Sequence, residues 1–312
     1  MLPSNSLRTN KFQAVQRLPR GPASRDALPR REERSLVAAA RSGDRQALRR
    51  LLERMSRPIY RFGRGFCRNT EDAEDVMQET LASLVRALPA FRGDASLTTW
   101  AYTVARNACL RQKRRMGGGA AVLSLDAPEG PDGDGARELR DDRPDPASAL
   151  EQQDLENALK HAILALPPTL REVLLLRDVE GLTAGEVARV LRLQERAVKS
   201  RLHRARLALR DALRPLVEDG GAEAWIPPPR AHCPDTARFL SRHVEGELDA
   251  SRCEALAAHV ERCPACDRAC RELRRSLAAC RRYGTRPVPG EIRAAVRRAI
   301  HAVLSTSAPS AR

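Results

Sequence analysis

From about Glu32 onward, apolar residues recur at intervals of three and four, the spacing that gathers them on one face of an α-helix. A first helical run, Ser35 to Ala40, ends at Ser42-Gly43-Asp44, where Gly43 can close one helix and Asp44 can cap the next. A second carries Leu48, Leu51, Leu52 and Met55 towards Phe62. A third follows Asn69-Thr70, with Glu71, Asp72, Glu74 and Asp75 crowding its first turn, where acids complement the helix dipole. Its apolar residues Met77, Leu81, Leu84 and Leu88 keep the same spacing until Pro89 stops it. A short loop, Phe91 to Ser96, leads to a fourth helix from Leu97 to about Arg115, whose predicted buried stripe is Leu97, Trp100, Ala101, Val104 and Ala108.

The pattern then breaks. Residues 117–148 hold Gly117 to Gly119, four prolines and many aspartates, the composition of a flexible acidic linker. Helical patterning returns over 149–217. A second linker, 218–230, centres on Pro227 to Pro229. Residues 231–285 carry six of the eight cysteines, and 286–312 contain an amphipathic helix with Ile292, Val296, Ile300 and Val303 on one face. Strand alternation and internal repeats are missing from the pattern, so the expected fold class is all-α: small helical units joined by linkers. Residues 1–31 hold Pro3, Pro19, Pro22 and Pro29 and read as a basic disordered tail.

Composition agrees with small units. Aromatic residues make up 3% of the 312, and there are 21 prolines and 18 glycines, too little bulk for one large core. Lysine and arginine outnumber acids 55 to 40, for a formal charge of +15. That surplus suits a polyanion such as nucleic acid, although a solvated basic surface has the same composition. No apolar run is long enough to span a bilayer, and the N-terminus lacks the apolar segment of a secretory signal. A soluble cytoplasmic protein with no membrane partner is expected. Thiols in that compartment are normally reduced, so clustered cysteines point to metal or redox chemistry before disulfides.

Leu182 to Leu209 reads as a helix-turn-helix. Ala184 to Leu191 forms the first helix, Leu193-Gln194-Glu195 the turn, and Arg196 onward the second. Val198, Leu202, Ala205 and Leu209 point inward. Arg196, Lys199, Ser200, His203, Arg204 and Arg206 face elsewhere. Basic and hydrogen-bonding side chains near the start of such a helix suit phosphates and base edges of a major groove. An ordinary solvated basic helix has the same two faces.

His259, Cys263 and Cys266 form the sharpest local motif. Residues four apart share a helical face, and Cys266 follows Pro264-Ala265 in a turn, so all three can reach one ion. Tetrahedral zinc needs a fourth ligand, for which Cys233 is the best candidate and His232 its rival. Cys253, Cys270 and Cys280 remain. They are inert buried thiols, a second soft-metal site, or candidate sensor thiols of a redox switch.

Two stretches carry a resemblance. The first comprises Asp72 to Thr80 (DAEDVMQET), Phe91 to Ser96 (FRGDAS) and Thr99 to Asn107 (TWAYTVARN). The second comprises Leu166-Pro167-Pro168, Arg171-Glu172-Val173, Gly181-Leu182-Thr183 and Val198 to Arg206 (VKSRLHRAR). Together they resemble the −10-recognition and −35-recognition domains of extracytoplasmic-function sigma factors of bacterial RNA polymerase, over 32–116 and 149–217. Cys233 to Cys266 resembles a zinc-containing anti-sigma domain. Six cysteines behind such a factor also resemble, more loosely, a CorE-like metal-responsive group.

The resemblance implies partners and roles. Core RNA polymerase would be gripped by the helix bearing Asp72, Asp75, Gln78 and Glu79. Promoter DNA, melted at −10, would meet Arg92, Asp94 and Ser96 on the loop and Thr99, Tyr102, Arg106, Asn107 and Arg111 off the buried face of the fourth helix. Unstacked bases are read on their exposed edges and by stacking. Trp100 is assigned to the core rather than to stacking. The cysteine domain would act in cis on the two helical domains. The turn departs from the family in having Arg192 where glycine is frequent, and Glu195-Arg196-Ala197 where Glu-Gly-Thr is frequent. No catalysis is required of such a chain, and the sequence contains neither a phosphate-binding glycine loop nor a paired nucleophile and base. Two rival classes are a helix-turn-helix regulator acting without polymerase and a metal-handling protein with a vestigial DNA module.

Overall fold

A computed structural model describes residues 29–67, 69–91, 93, 95–115, 146–217, 233, 235–285 and 290–306. The described residues form twelve α-helices and no strand. The basic tail, except for its last residues, and most of both linkers lie outside the described residues.

The first unit contains α1 (Arg30–Arg41), α2 (Arg45–Phe66), α3 (Thr70–Ala87) and α4 (Leu97–Arg115). Asp44 caps α2 as its sequence position predicts, its Oδ1 accepting from the amides of Gln46 at 2.8 Å and Ala47 at 3.1 Å. Asn69 caps α3 through the Asp72 amide at 2.7 Å. Leu51, Leu52, Met55, Phe62, Met77, Leu81 and Leu84 interlock in the core. Phe62 stacks on Phe66 and meets Tyr102 edge-on at 5.6 Å.

The second unit contains α5 (Pro146–Ala165), α6 (Pro168–Leu174), α7 (Ala184–Leu191) and α8 (Glu195–Val217). Helix α5 begins at Pro146, inside the stretch predicted as linker, and α1 begins at Arg30, inside the predicted tail. Helix α6 runs on into a π turn, Leu175–Val179, and every residue from Glu172 to Glu180 is buried. Thr183 and Glu186 form a reciprocal capping box at the start of α7. Arg192 closes α7 at φ 55°, in the left-handed region where glycine is usual. Val198, Leu202, Ala205 and Leu209 of α8 are buried as predicted. Arg206 is buried with them, at 1% exposure, and does not face outward.

The third unit contains α9 (Thr236–Val244), α10 (Ala250–Arg262) and α11 (Pro264–Tyr283), followed by α12 (Gly290–Thr306). Leu240, Val244, Leu256, Val260, Leu273 and Leu277 make its small core. The far end of α11 leaves that core: Ala279 and Cys280 join the core shared by the first two units, as do Val296, Ala299 and Ile300 of α12. Val296 and Ile300 are thus buried on the predicted face; the side chains of Ile292 and Val303 lie outside the described residues.

The first two units pack together as one body. Gly65 of α2 lies so close to the π turn that a Cβ there would sit 2.6 Å from Leu175 Cδ2. Arg61 Nε and Nη2 donate to Glu180 at 3.0 and 2.5 Å, and Tyr102 Oη donates to the same carboxylate at 2.8 Å. Arg106 Nε donates to Glu172 at 2.7 Å. No helix of the described residues is long and apolar enough to cross a membrane.

Candidate metal centre and nucleic-acid interface

The end of α10 and the start of α11 bring three donors together. His259 stands on the last turn of α10, Cys263 caps that helix, and Cys266 lies in the first turn of α11 behind Pro264. Cys233 arrives just before Asp235, the cap of α9. One donor atom from each lies within 4.8 Å of all the others. Cys233 Sγ and Cys263 Sγ are 3.8 Å apart, which is the edge of a tetrahedron with metal–sulfur bonds of about 2.3 Å. His259 Nε2 is 3.2 Å from Cys266 Sγ. Three sulfurs and one imidazole nitrogen therefore fit a structural zinc site, with Cys233 in the fourth place. His232 lies outside the described residues.

The cysteine thiols of the set differ in acidity. The Cys266 backbone N–H holds the Cys263 thiol below its usual range, while burial pushes Cys266 up to about 12. Zinc takes thiolates, so binding would release the Cys266 proton.

The other cysteines are dispersed. Cys253 Sγ lies 3.2 Å from His243 Nδ1. Cys270 is buried, which pushes its thiol up to about 11. Cys280 is fully buried, and its thiol is raised by that burial. Among the described residues, no second group of three metal donors forms. Cys67 Sγ and Cys109 Sγ, 3.6 Å apart in the first unit, were not singled out in the sequence. Cys67 caps the end of α2 and Cys109 lies on α4, 42 positions apart, so no local spacing could have paired them.

Helix α8 presents Arg196, Ser200 and Arg204 to solvent, with Lys199 and His203 half-buried. Acids of the third unit meet this same helix. The turn after α9 carries Glu245, Gly246 and Glu247. Lys199 Nζ lies 2.6 Å from Glu247 Oε1 and 2.8 Å from Glu195 Oε1. Arg206 donates to both Asp178 oxygens, at 2.8 and 2.7 Å, to Glu245 Oε1 at 2.8 Å and to Ser241 Oγ at 2.8 Å. Arg177 Nε donates to the other Glu245 oxygen at 2.9 Å. A buried guanidinium with this many charged partners is held as a cation, its pKa raised by Asp178 and Glu245 despite burial. His203 is shifted the other way, below its usual pKa, chiefly by burial. Between α8 and α9 lies a cleft of about 640 Å³, lined by Arg196, Lys199, Ser200 and His203 on one side and Asp235, Arg238, Arg242, Glu245 and Glu247 on the other.

In the first unit, α3 exposes Asp75, Gln78 and Glu79. Glu79 is ion-paired with Arg111. Asp72, expected beside them, is buried and accepts from Gln112 Nε2 at 2.9 Å, so it ties α3 to α4. Ser96 sits at the start of α4, its Oγ accepting from the Thr99 amide at 3.1 Å and 2.8 Å from Thr99 Oγ1. Thr99 and Tyr102, expected off the buried face, are 2% and 1% exposed. Tyr102 is covered on two sides, by Phe62 of its own unit and by Glu180 of the second, whereas Thr99 sits in the first turn of α4 against Ser96. Arg106 is held by Glu172, whose carboxyl burial raises and Arg106 lowers. Asn107 is exposed. Val104 is half-buried, and Trp100, half-buried against Phe91, flanks the core as assigned. Arg92 and Asp94 lie outside the described residues.

Comparisons with known proteins match these units one by one. The model for Sigma-70 region 2 matches residues 51–117, that for Sigma-70 region 4 matches 156–209, and a zinc-finger model matches 233–266. The RNA polymerase sigma-H factor of Pseudomonas aeruginosa is 30% identical over 192 residues, 62% of this chain and 99% of that protein. The ECF RNA polymerase sigma factor SigM of Mycobacterium tuberculosis is 33% identical over 179 residues, 57% of this chain and 83% of that one. A solved structure of CnrH in complex with the cytosolic domain of CnrY is 26% identical, covers 59% of this chain and 97% of that chain, and has a TM-score of 0.43.

Proposed function

This chain belongs to the extracytoplasmic-function RNA polymerase sigma factors, and on that footing we propose that it is a sigma factor closed upon itself by its own zinc domain. The family's task is to bring core polymerase to a promoter. The exposed row Asp75, Gln78 and Glu79 on α3 is the proposed polymerase contact, with Asp72 acting behind it as a tie to α4. Asn107, Arg111 and the loop bearing Arg92, Asp94 and Ser96 are the proposed −10 contacts. Arg196, Lys199, Ser200, His203 and Arg204 on α8 are the proposed −35 contacts.

The observation that carries the closed reading is the acidic turn at Glu245 and Glu247, paired with Arg206 and Lys199 of α8. The Glu247 carboxylate stands where a phosphate oxygen would otherwise pair with Lys199, while Glu245 ties the same turn to the buried Arg206. A second constraint supports it: Glu180 and Glu172 of the second unit bond Arg61, Tyr102 and Arg106 of the first, so the two promoter-facing units are tied to one another. Opening would free Tyr102 and Arg106 on α4 together with the duplex-reading face of α8. The metal set Cys233, His259, Cys263 and Cys266 would hold zinc, which keeps α9 to α11 folded and so keeps the turn in place.

Transcription with purified core polymerase tests this. Full-length chain carrying Glu247→Gln should direct about two- to fivefold more promoter-dependent transcript than wild type, the factor given by roughly 0.5–1 kcal/mol for a partly exposed ion pair. Equal output from the two would remove the cis-inhibition reading, and failure of both to direct initiation would remove the assignment of polymerase and promoter contacts.

A further inference from the structure

We propose that the cleft between α8 and α9 is a binding site for a small oligophosphate, a linear chain of two or three phosphoryl groups, whose occupancy holds α8 against the zinc domain. The inference rests on the closed reading above and adds a ligand that stabilises it.

The size and lining of the cleft select the ligand. At about 640 Å³ it falls within the range of roughly 300–1,000 Å³ that small-molecule sites occupy. Such sites are usually walled by apolar and aromatic side chains. Here every lining residue is an arginine, a lysine, a histidine, an acid or a serine. An apolar or aromatic ligand finds no matching surface, whereas a polyanion finds cations on both walls. On α8, Arg196, Lys199 and His203 stand three or four residues apart and so share one helical face, over about 10 Å at roughly 1.5 Å per residue. On α9, Arg238 and Arg242 line the other wall one turn apart. A single phosphate cannot reach along this row, but a chain of phosphoryl groups can.

The acids of the cleft are already engaged. Glu245 pairs with Arg177 and Arg206, and Glu247 with Lys199 and Arg242. Asp235 caps α9, accepting from the Arg238 amide at 3.0 Å. Among the described residues, the guanidiniums of Arg196 and Arg238 have no ion-pair partner. The buried Nδ1 of His203 has no hydrogen-bond partner, and buried polar atoms are ordinarily satisfied. Two unpaired guanidinium forks, whose geometry matches phosphate oxygens, and one unsatisfied imidazole therefore line the same space. An oligophosphate there bonds α8 through Arg196 and His203 and α9 through Arg238. It draws the second and third units together and occupies side chains proposed to read duplex DNA, so it opposes DNA binding.

The test titrates full-length, zinc-loaded chain calorimetrically with sodium tripolyphosphate and, in parallel, with a nucleoside triphosphate, zinc content being verified afterwards. One site per chain should appear, of similar affinity for the two, because the lining offers a base no aromatic face. Arg238→Ala should weaken it by about ten- to a hundredfold, the usual effect of losing a hydrogen bond to a charged group. Arg189→Ala, which removes an exposed charge from α7 away from the cleft, should leave it unchanged. Binding to a short DNA duplex is followed by anisotropy. Tripolyphosphate should weaken it for the wild type but not, at the same concentration, for Arg238→Ala. Equal competition in both chains overturns the proposal, since the anion then acts on the recognition helix alone. So does a nucleotide that binds where tripolyphosphate does not. Absence of binding, alongside a Glu247→Gln chain with raised duplex affinity, overturns the proposal and leaves the closed reading standing. Unchanged duplex affinity in Glu247→Gln overturns the closed reading instead.

Discussion

Arg206 joins three segments of the chain through one guanidinium. It lies on α8, Asp178 holds it from the π turn, and Ser241 of α9 with Glu245 of the following turn hold it from the third unit. Removing one partner of a buried ion-pair cluster leaves the remaining charges without compensation, a loss of about 3–5 kcal/mol. Arg206→Ala should therefore destabilise the full chain by that order in urea unfolding, whereas Arg204→Ala, on the exposed side of the same helix, should change stability by no more than about 0.5 kcal/mol. Equal effects from the two would mean that the cluster does not hold the units together. Helical spacing identified Val198, Leu202, Ala205 and Leu209 as core, and correctly so. It misplaced Arg206 because periodicity locates the face towards one neighbour and says nothing of a second. The acids that receive Arg206 lie 28 and 39 positions away in sequence. The metal set was more legible, since two of its separations are local and the chemistry of cysteine and histidine is specific. Tyr102 repeats the Arg206 case: its ring belongs to the core of the first unit, but its hydroxyl is bound by Glu180 of the second.

Among the elements, α4 joins two units within one core, and α11 joins two cores. The predicted stripe on α4 was one face, yet Tyr102 and Arg106 of the same helix meet the second unit as well, through Glu180 and Glu172. Helix α11 begins as part of the zinc domain and ends, at Ala279 and Cys280, in the core of the sigma units. Its last residues explain why Gly284 follows. A Cβ at Gly284 would collide with the backbone carbonyl of Val179 in the π turn, and a carbonyl held within a buried helix cannot step aside. Gly284→Ala should force α11 away from that turn, at about 1–3 kcal/mol as for other overpacking changes. The measurable outcome is a lower unfolding midpoint together with faster hydrogen exchange over 172–180. An unchanged exchange pattern would show that α11 does not brace the second unit. A glycine at a helix end reads from sequence simply as a stop signal. That it marks a close backbone approach depends on a segment about a hundred positions earlier, which no local pattern contains.

For the whole molecule, the proposed closed state raises the question of what holds it. The zinc domain has a small core of its own, built largely from Leu240, Val244, Leu256, Val260, Leu273 and Leu277. A structural zinc contributes about 10–16 kcal/mol in domains of this kind, more than such a core leaves in surplus after chain entropy. Zinc would thus act at a distance: by keeping α9 to α11 folded it keeps Glu245 and Glu247 aimed at α8. Stripping the metal with a strong chelator should lower the helical signal, as α9 and α10 lose their anchor, and should tighten rather than weaken binding to duplex DNA. The salt dependence separates this from a general loosening. Each cation newly engaged with a phosphate steepens the slope of log K against log salt by about 0.9. Lys199, released from Glu247, should therefore steepen it by roughly that amount in the metal-free chain, and Lys199→Ala should abolish the change. An unaltered slope after metal removal, with zinc loss verified, would mean that the recognition helix was never occupied by the acidic turn. The closed arrangement would then have to be held through Glu180 and Glu172 alone.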